Sequence, residues 1–183
     1  MIQYSFYPAD KGLNDFIFSY GVMELAAGLT APLVSPPNGL TGFLIRVKSD
    51  ETALVNGKDF EGNPIAYQPN YAIGQTTHPI SGYATGQITL LVVFFQPLGM
   101  YQLFGYNMAA LCNKSVDLVQ LLGHATGNAL VQELRMADSI ENQTAILNRF
   151  FLQQKPIDKD CDMLKKALDT IHAAEGNMDV KTL

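Results

Sequence analysis

Apolar positions along the chain follow two regimes that meet at residues 87–105, QITLLVVFFQPLGMYQLFG. Before this stretch, short apolar runs alternate with polar positions and are punctuated by glycine and proline, as in a strand-rich domain. After it, apolar residues recur three and four apart, as on helices. The run from Ile88 to Phe95 is unbroken and rich in β-branched and aromatic residues, which predicts a strand covered on both faces. Gln96-Pro97 ends that strand, because proline lacks the N–H a ladder needs and fixes its own φ. Gly99 relieves the following turn. The pattern predicts an α+β protein: an N-terminal β barrel or sandwich followed by a C-terminal helical region.

Taken in order, Met1 to Tyr7 alternates weakly. Asp10 reads as an N-cap, and Leu13, Phe16, Ile17 and Tyr20 at helical spacing predict a short amphipathic helix over about 11–19. Gly21 ends it, and Val22–Leu25 is a candidate strand. Ala31 to Gly39 holds three prolines and an Asn-Gly pair, which predicts a loop or polyproline segment. LTGFLIRVK, residues 40–48, is a strand with Phe43, Ile45 and Val47 on one face and Leu44, Arg46 and Lys48 on the other. Arg46 there either carries its charge into a pocket or snorkels outward. Ala53–Val55 continues as a strand closed by a hairpin at Asn56-Gly57. Glu61-Gly62-Asn63-Pro64, Pro69-Asn70 and Ser81-Gly82 read as turns separating short strands at Ile65–Gln68, Tyr71–Gln75 and Tyr83–Thr85. Short strands at regular spacing predict a sandwich or a closed barrel.

Beyond the seam, Asn107–Cys112 and Ser115–Leu122 read as short helices that end at Asn113 and Gly123. A longer helix spans Ala125–Ala137, with Leu130, Val131 and Leu134 on one side. Another runs over about 139–153, capped by Asp138 or Ser139, with Ile140, Leu147, Phe150 and Phe151 as its stripe. Pro156 breaks the chain. A last helix spans Asp158–Ala174 and is closed by Gly176-Asn177. Asp179 then reads as a fresh N-cap, with Val180 and Leu183 three apart, so the sequence is expected to stop at the start of a further helix.

Charge and rare residues narrow the function. The 183 residues carry a formal net charge of −5, and the few Lys and Arg are scattered apart from Lys165-Lys166, which argues against nucleic-acid binding by these residues alone. Cys112 and Cys161 have no metal spacing and read as buried thiols of a reducing compartment. No apolar run approaches a membrane span, and no signal peptide opens the chain, so a soluble cytoplasmic protein is expected. The three histidines are His78, His124 and His172. Only His78 lies in the β half, in a Thr-Thr-His-Pro turn, and no H-x-H occurs. A metal site on a β barrel needs several histidines and a carboxylate converging from neighbouring strands, so no metal, cofactor or catalytic residue is expected. No G-x-S-x-G elbow appears, and GYATG lacks the Lys-Ser/Thr pair of a phosphate loop.

The seam and the tail carry a resemblance. FFQPLGMYQLFG, then SVDLVQLLG, then ELRMADS to ILNRFF resembles the N-terminal half of AraC-type transcriptional regulators. Phe95, Pro97 and Gly99 match an F-x-P-x-G ending on the last sensor strand. Asp117, Leu121 and Gly123 match the D-x-x-x-L-x-G that follows. In the tail ALDTIHAAEGNMDVKTL, Ile171, Gly176, Val180 and Leu183 match the opening of that family's DNA-binding domain. The resemblance implies a cupin-like sensor domain with a short N-terminal helix over 1–97, a helical linker or dimerisation region over 98–157, and the start of a helix-turn-helix domain over 158–183, with DNA read only by residues beyond these. It implies a non-enzymatic effector-sensing and dimerisation region. A small cupin-fold enzyme or metal-binding protein is the alternative.

A small β barrel holds one small ligand when side chains do not fill it. Arg46, Tyr67, Tyr71 and Tyr83 are the candidate lining for an unidentified small-molecule effector, drawn from an aromatic-rich β half that also holds Phe43, Phe60, Phe94 and Phe95. Ile140, Leu147, Phe150 and Phe151 are the candidate homodimer surface, since adjacent Phe150 and Phe151 on a helix send their rings to different neighbours.

Overall fold

The computed structural model describes residues 2–37, 39–58, 64–157, 161–175, 177 and 179. Among these, ten strands and six α-helices follow in the order β1 (Gln3–Tyr7), β2 (Ile17–Leu25), β3 (Thr30–Ser35), β4 (Thr41–Ser49), β5 (Leu54–Lys58), β6 (Pro64–Ala66), β7 (Asn70–Ile73), β8 (Ile80–Thr85), β9 (Ile88–Phe95), α1 (Gly99–Phe104), α2 (Met108–Leu111), β10 (Ser115–Asp117), α3 (Leu118–Leu122), α4 (His124–Met136), α5 (Ile140–Leu152) and α6 (Asp162–Ala173). The strands form two sheets, one ordered β1-β2-β9-β4-β7-β10 and the other β3-β8-β5-β6. Every pairing among the described residues is antiparallel. The β half is therefore a two-sheet sandwich, and with the helices the fold is α+β.

β9 occupies the middle of the larger sheet, hydrogen-bonded to β2 on one side and β4 on the other. Both of its faces are covered, as its unbroken apolar run predicts. Leu91, Val93 and Phe95 enter a core shared with Met100, Leu103, Leu130, Leu134, Leu147 and Phe151 of the helices. Ile88 and Leu90 enter a second cluster between the sheets with Met23, Leu25, Ala31, Val55 and Ala84. The helical layer is held on the sheet by rings: Phe95 meets Phe151 edge-on at 5.7 Å and Phe104 edge-on at 6.4 Å. Edge-to-face contacts of this kind add roughly 0.5–1.5 kcal/mol each beyond area burial.

The structure corrects several local expectations. No helix spans 11–19. Asp10 does cap a turn, its carboxylate accepting from the Gly12 N–H at 2.8 Å, but that turn is a single 3-10 segment at Lys11–Leu13. β2 begins at Ile17, and a register shift lies between Ile17 and Ser19. That bulge puts Ile17 and Tyr20, three apart, into the same core, which imitates helical spacing. The proline-rich stretch from Ala31 is strand β3 up to Ser35, not a loop. β3 lies at an edge of its sheet, where Pro32 leaves no central ladder broken. Asn56-Gly57 and Ser81-Gly82 are not turns: Gly57 of β5 faces Gly82 of β8 in the ladder. A Cβ on Gly82 would lie 2.1 Å from the Asn56 carbonyl oxygen, so bare backbone is needed there for close approach. Ser115–Asp117 is a short strand against β7, and only from Leu118 does the chain turn helical, capped by Asp117. The longer helices lie close to their expected limits, α5 capped by Ser139 accepting from the Asn142 N–H. The Glu61-Gly62-Asn63 part of one expected turn, Phe60, the start of the last helix at Asp158, Gly176, and Val180 and Leu183 of the tail lie outside the described residues.

Candidate functional site

The sandwich interior is filled at only one end. Around Ile88, Leu25 and Ala84 the two sheets are in full contact. Toward Val92 and Phe94 they enclose a cavity of about 350 Å3. The larger sheet contributes Val22, Leu44, Ile73, Leu90, Val92 and Phe94 to its wall, and the smaller sheet contributes Leu33, Val34, Val55, Ile80 and Gly82. Tyr4 and Phe6 of edge strand β1 and Val34 of β3 also border it, and all three side chains are more than half exposed. They mark an apolar mouth; Phe6 leans on Phe94 with ring centres 6.2 Å apart. Among the described residues, no side chain that borders the cavity is charged.

Tyr67 and Tyr71 bring two tyrosines into the wall, which also holds the polar side chains of Ser5, Ser35, Thr41, Asn56 and Thr76. Their rings stack at 5.0 Å with 28° between planes. Tyr71 is held on β7, opposite Leu44 of β4, and is buried. Burial raises the pKa of its hydroxyl, nearby Tyr67 raises it further, and Arg46 opposes both. Burial also raises the Tyr67 hydroxyl. Tyr67 is positioned over bare backbone: a Cβ on Gly57 would stand 2.8 Å from its ring and 3.2 Å from its oxygen. The Tyr67 hydroxyl is buried and has no hydrogen-bond partner among the described residues. An orphaned buried hydroxyl of this kind calls for a partner.

Of the four residues proposed from sequence to line a pocket, the structure brings Tyr67 and Tyr71 together in the cavity wall. Arg46 does not border the cavity; it is an electrostatic neighbour of Tyr71. Its main chain is fixed by Asn70 and Pro69 from one side and by the Arg135 side chain of α4 from the other. Its Nε is buried without a hydrogen-bond partner among the described residues, and desolvation, with Arg135 close by, lowers its pKa against the pull of Tyr71. Tyr83 points out of the smaller sheet and is 62% exposed. Phe94 and Phe6, which shape the mouth, were not singled out as ligand contacts. The parity of β9 was the available signal, since Leu90, Val92 and Phe94 share one face, but both faces are apolar and sequence does not say which is hollow.

On α5, Leu147 and Phe151 are fully buried in the chain's own core, and Ile140 and Phe150 pack against it. Phe150 meets Phe151 at 5.1 Å and Phe104 at 6.5 Å. By contrast, α6 buries none of its residues, and Met163 on it is 80% exposed. Among the described residues no three His, Cys, Asp or Glu side chains gather as a metal site would require. His78 accepts or donates at Thr77 Oγ1, 2.8 Å away, while His124 and His172 lie at the two ends of different helices. Cys112 and Cys161 are free thiols, half-buried and buried. No helix of the described residues is long and apolar enough to cross a membrane.

Residues 5–117 match a family described as Domain of unknown function (DUF6597). No curated protein matches the sequence. Among solved structures, the chain is similar to an RmlC-like cupin protein from Desulfovibrio desulfuricans, with 11% identity, a TM-score of 0.36, and 51% of this chain and 81% of that one covered. It is also similar to the Cupin_2 domain of an XRE family transcriptional regulator from Enterobacter cloacae, with 15% identity, a TM-score of 0.36, and 52% and 97% covered. A third similarity is to the AraC-like transcriptional activator CuxR, with 12% identity, a TM-score of 0.35, and 99% and 73% covered.

Proposed function

The chain belongs to the DUF6597 family, and from that premise we propose that it is the effector-sensing and dimerisation part of an AraC-type transcriptional regulator, with a cupin-like β domain and no catalytic role. The observation that carries the proposal is the half-empty sandwich: an apolar cavity of about 350 Å3 with a buried, unpartnered tyrosine hydroxyl in its wall. Pockets that enclose small molecules are of this size and of this mostly apolar make-up. The F-x-P-x-G ending at Phe95, Pro97 and Gly99 and the tail pattern at Ile171, Gly176, Val180 and Leu183 supply the family resemblance.

The architecture offers a route from ligand to output. β9 presents Val92 and Phe94 to the cavity and, on alternate positions, Val93 and Phe95 to the helical core. A ligand pressing on one face therefore acts on the strand that seats α5. In this reading the occupied and empty cavities favour different settings of the helical layer, which in turn present a DNA-binding domain differently. The helical region over 98–157 serves dimerisation, and 158–183 opens the DNA reader.

The test is a map of DNA recovered with the tagged natural gene product after cross-linking in its own cells. Recovery of discrete promoter-proximal sites is expected. Recovery of no site above background overturns the regulator reading.

A further inference from the structure

We infer that the cavity takes a neutral, mostly apolar molecule of about a dozen non-hydrogen atoms that carries one hydroxyl or carbonyl group, bound by the Tyr67 hydroxyl. The inference rests on the sensor reading of the same cavity and adds the chemistry of its ligand.

Size sets the first limit. At roughly 30 Å3 of liquid volume per water, 350 Å3 accommodates about a dozen water-sized groups. Charge sets the second. Among the described residues no side chain in the wall is charged, and a carboxylate or ammonium placed against them would lose its hydration without a partner. Arg46, the cation that acts on Tyr71, is outside the wall. Polarity sets the third. Ser5, Ser35 and Asn56 border the cavity but are exposed, so water can serve them, while Thr41 and Thr76 are half-buried and each also offers a hydroxyl. Among the described residues, the Tyr67 hydroxyl is the buried wall atom left without a partner. It can donate to a carbonyl or exchange a hydrogen bond with a hydroxyl. A polyol would set most of its hydroxyls against an apolar wall, and each one left unpaired is a loss. A hydrocarbon would fill the space but leave Tyr67 orphaned.

The experiment is calorimetric titration of the whole chain with four probes: 4-propylphenol, propylbenzene, 4-propylbenzoate and glucose. 4-Propylphenol is expected to bind saturably, and 4-propylbenzoate at least about tenfold more weakly because its charge is uncompensated. Tyr67→Phe keeps the ring and its stacking, and is expected to weaken 4-propylphenol about threefold to tenfold while leaving propylbenzene unchanged. Val92→Phe puts a ring into the void and is expected to abolish binding of both neutral probes. Should that variant not fold, shifts of the Val92 and Phe94 amide signals on adding 4-propylphenol to the unaltered chain locate the site. Tighter binding of the benzoate or of glucose overturns the ligand class and leaves the sensor reading standing. Equal loss of 4-propylphenol and propylbenzene in Tyr67→Phe, or no loss of either, overturns the role of Tyr67. Failure of all four probes to bind overturns the inference and the sensor reading of the cavity together, whereas the DNA map fails independently of either.

Discussion

Two kinds of glycine show how far a single residue can be read from sequence. Gly99 stands where a turn was expected, and it is needed for a more specific reason: a Cβ there would lie 2.0 Å from the Phe16 carbonyl oxygen. Backbone cannot move aside as a flexible side chain can. Gly99→Ala is therefore expected to lower stability by about 1–3 kcal/mol, read from urea unfolding, and an unchanged midpoint would show that the seam turn relaxes freely. Gly57 and Gly82, by contrast, follow Asn and Ser in dipeptides that also make hairpin turns. Here they lie in mid-strand, where two chains and the Tyr67 ring come close. The residues carry the same local preference in both settings, so only the partner strand decides between them. That is why Asp10 as a cap was legible while the role of Gly57 in seating Tyr67 was not.

At the scale of elements, legibility follows how much of the pattern is local. α4 and α5 obey spacings of three and four within one segment, and their limits come close to expectation. β2 does not, because its bulge between Ile17 and Ser19 puts Ile17 and Tyr20 into one core, three apart as on a helix. What fixes β2 to the helical layer is equally non-local. Asn148 of α5 accepts from the Tyr20 hydroxyl at 2.8 Å and from the Asp10 N–H at 3.0 Å, a separation of 128 and 138 residues in sequence. Tyr20 is fully buried, so Asn148→Ala leaves its hydroxyl without this acceptor. A loss of about 1–3 kcal/mol is expected, and it should shrink when Tyr20→Phe has already removed the donor. Equal losses in both backgrounds would show that the two side chains are not coupled.

The whole molecule brings together properties that no segment holds alone. Burial raises the pKa of Tyr20, Tyr67, Tyr71 and Tyr106, the last to about 12. The unfolded chain releases these protons near pH 10, whereas the native chain keeps them, so the native state binds more protons above that pH. Their stabilising effect is complete below about pH 10 and is lost as pH rises toward the native values. Unfolding midpoints are thus expected to fall above pH 10, less steeply in Tyr106→Phe; a flat profile would contradict the burial of these hydroxyls. The cavity is likewise a property of the assembly, since it requires the inner faces of two sheets whose strands alternate along the chain. Its link to the helices rests on β9 having one face in each compartment. A probe at about one hundred times its Kd stabilises the state it binds by about 2.7 kcal/mol. If β9 carries that energy outward, amide exchange should slow in α1 and α5 as well as in the sheets. It should stay unchanged in α6, none of whose residues is fully buried. Protection confined to the strands around the cavity, with α5 exchanging as before, would mean that Phe95 and Phe151 do not relay occupancy, and the helical layer would then need another input.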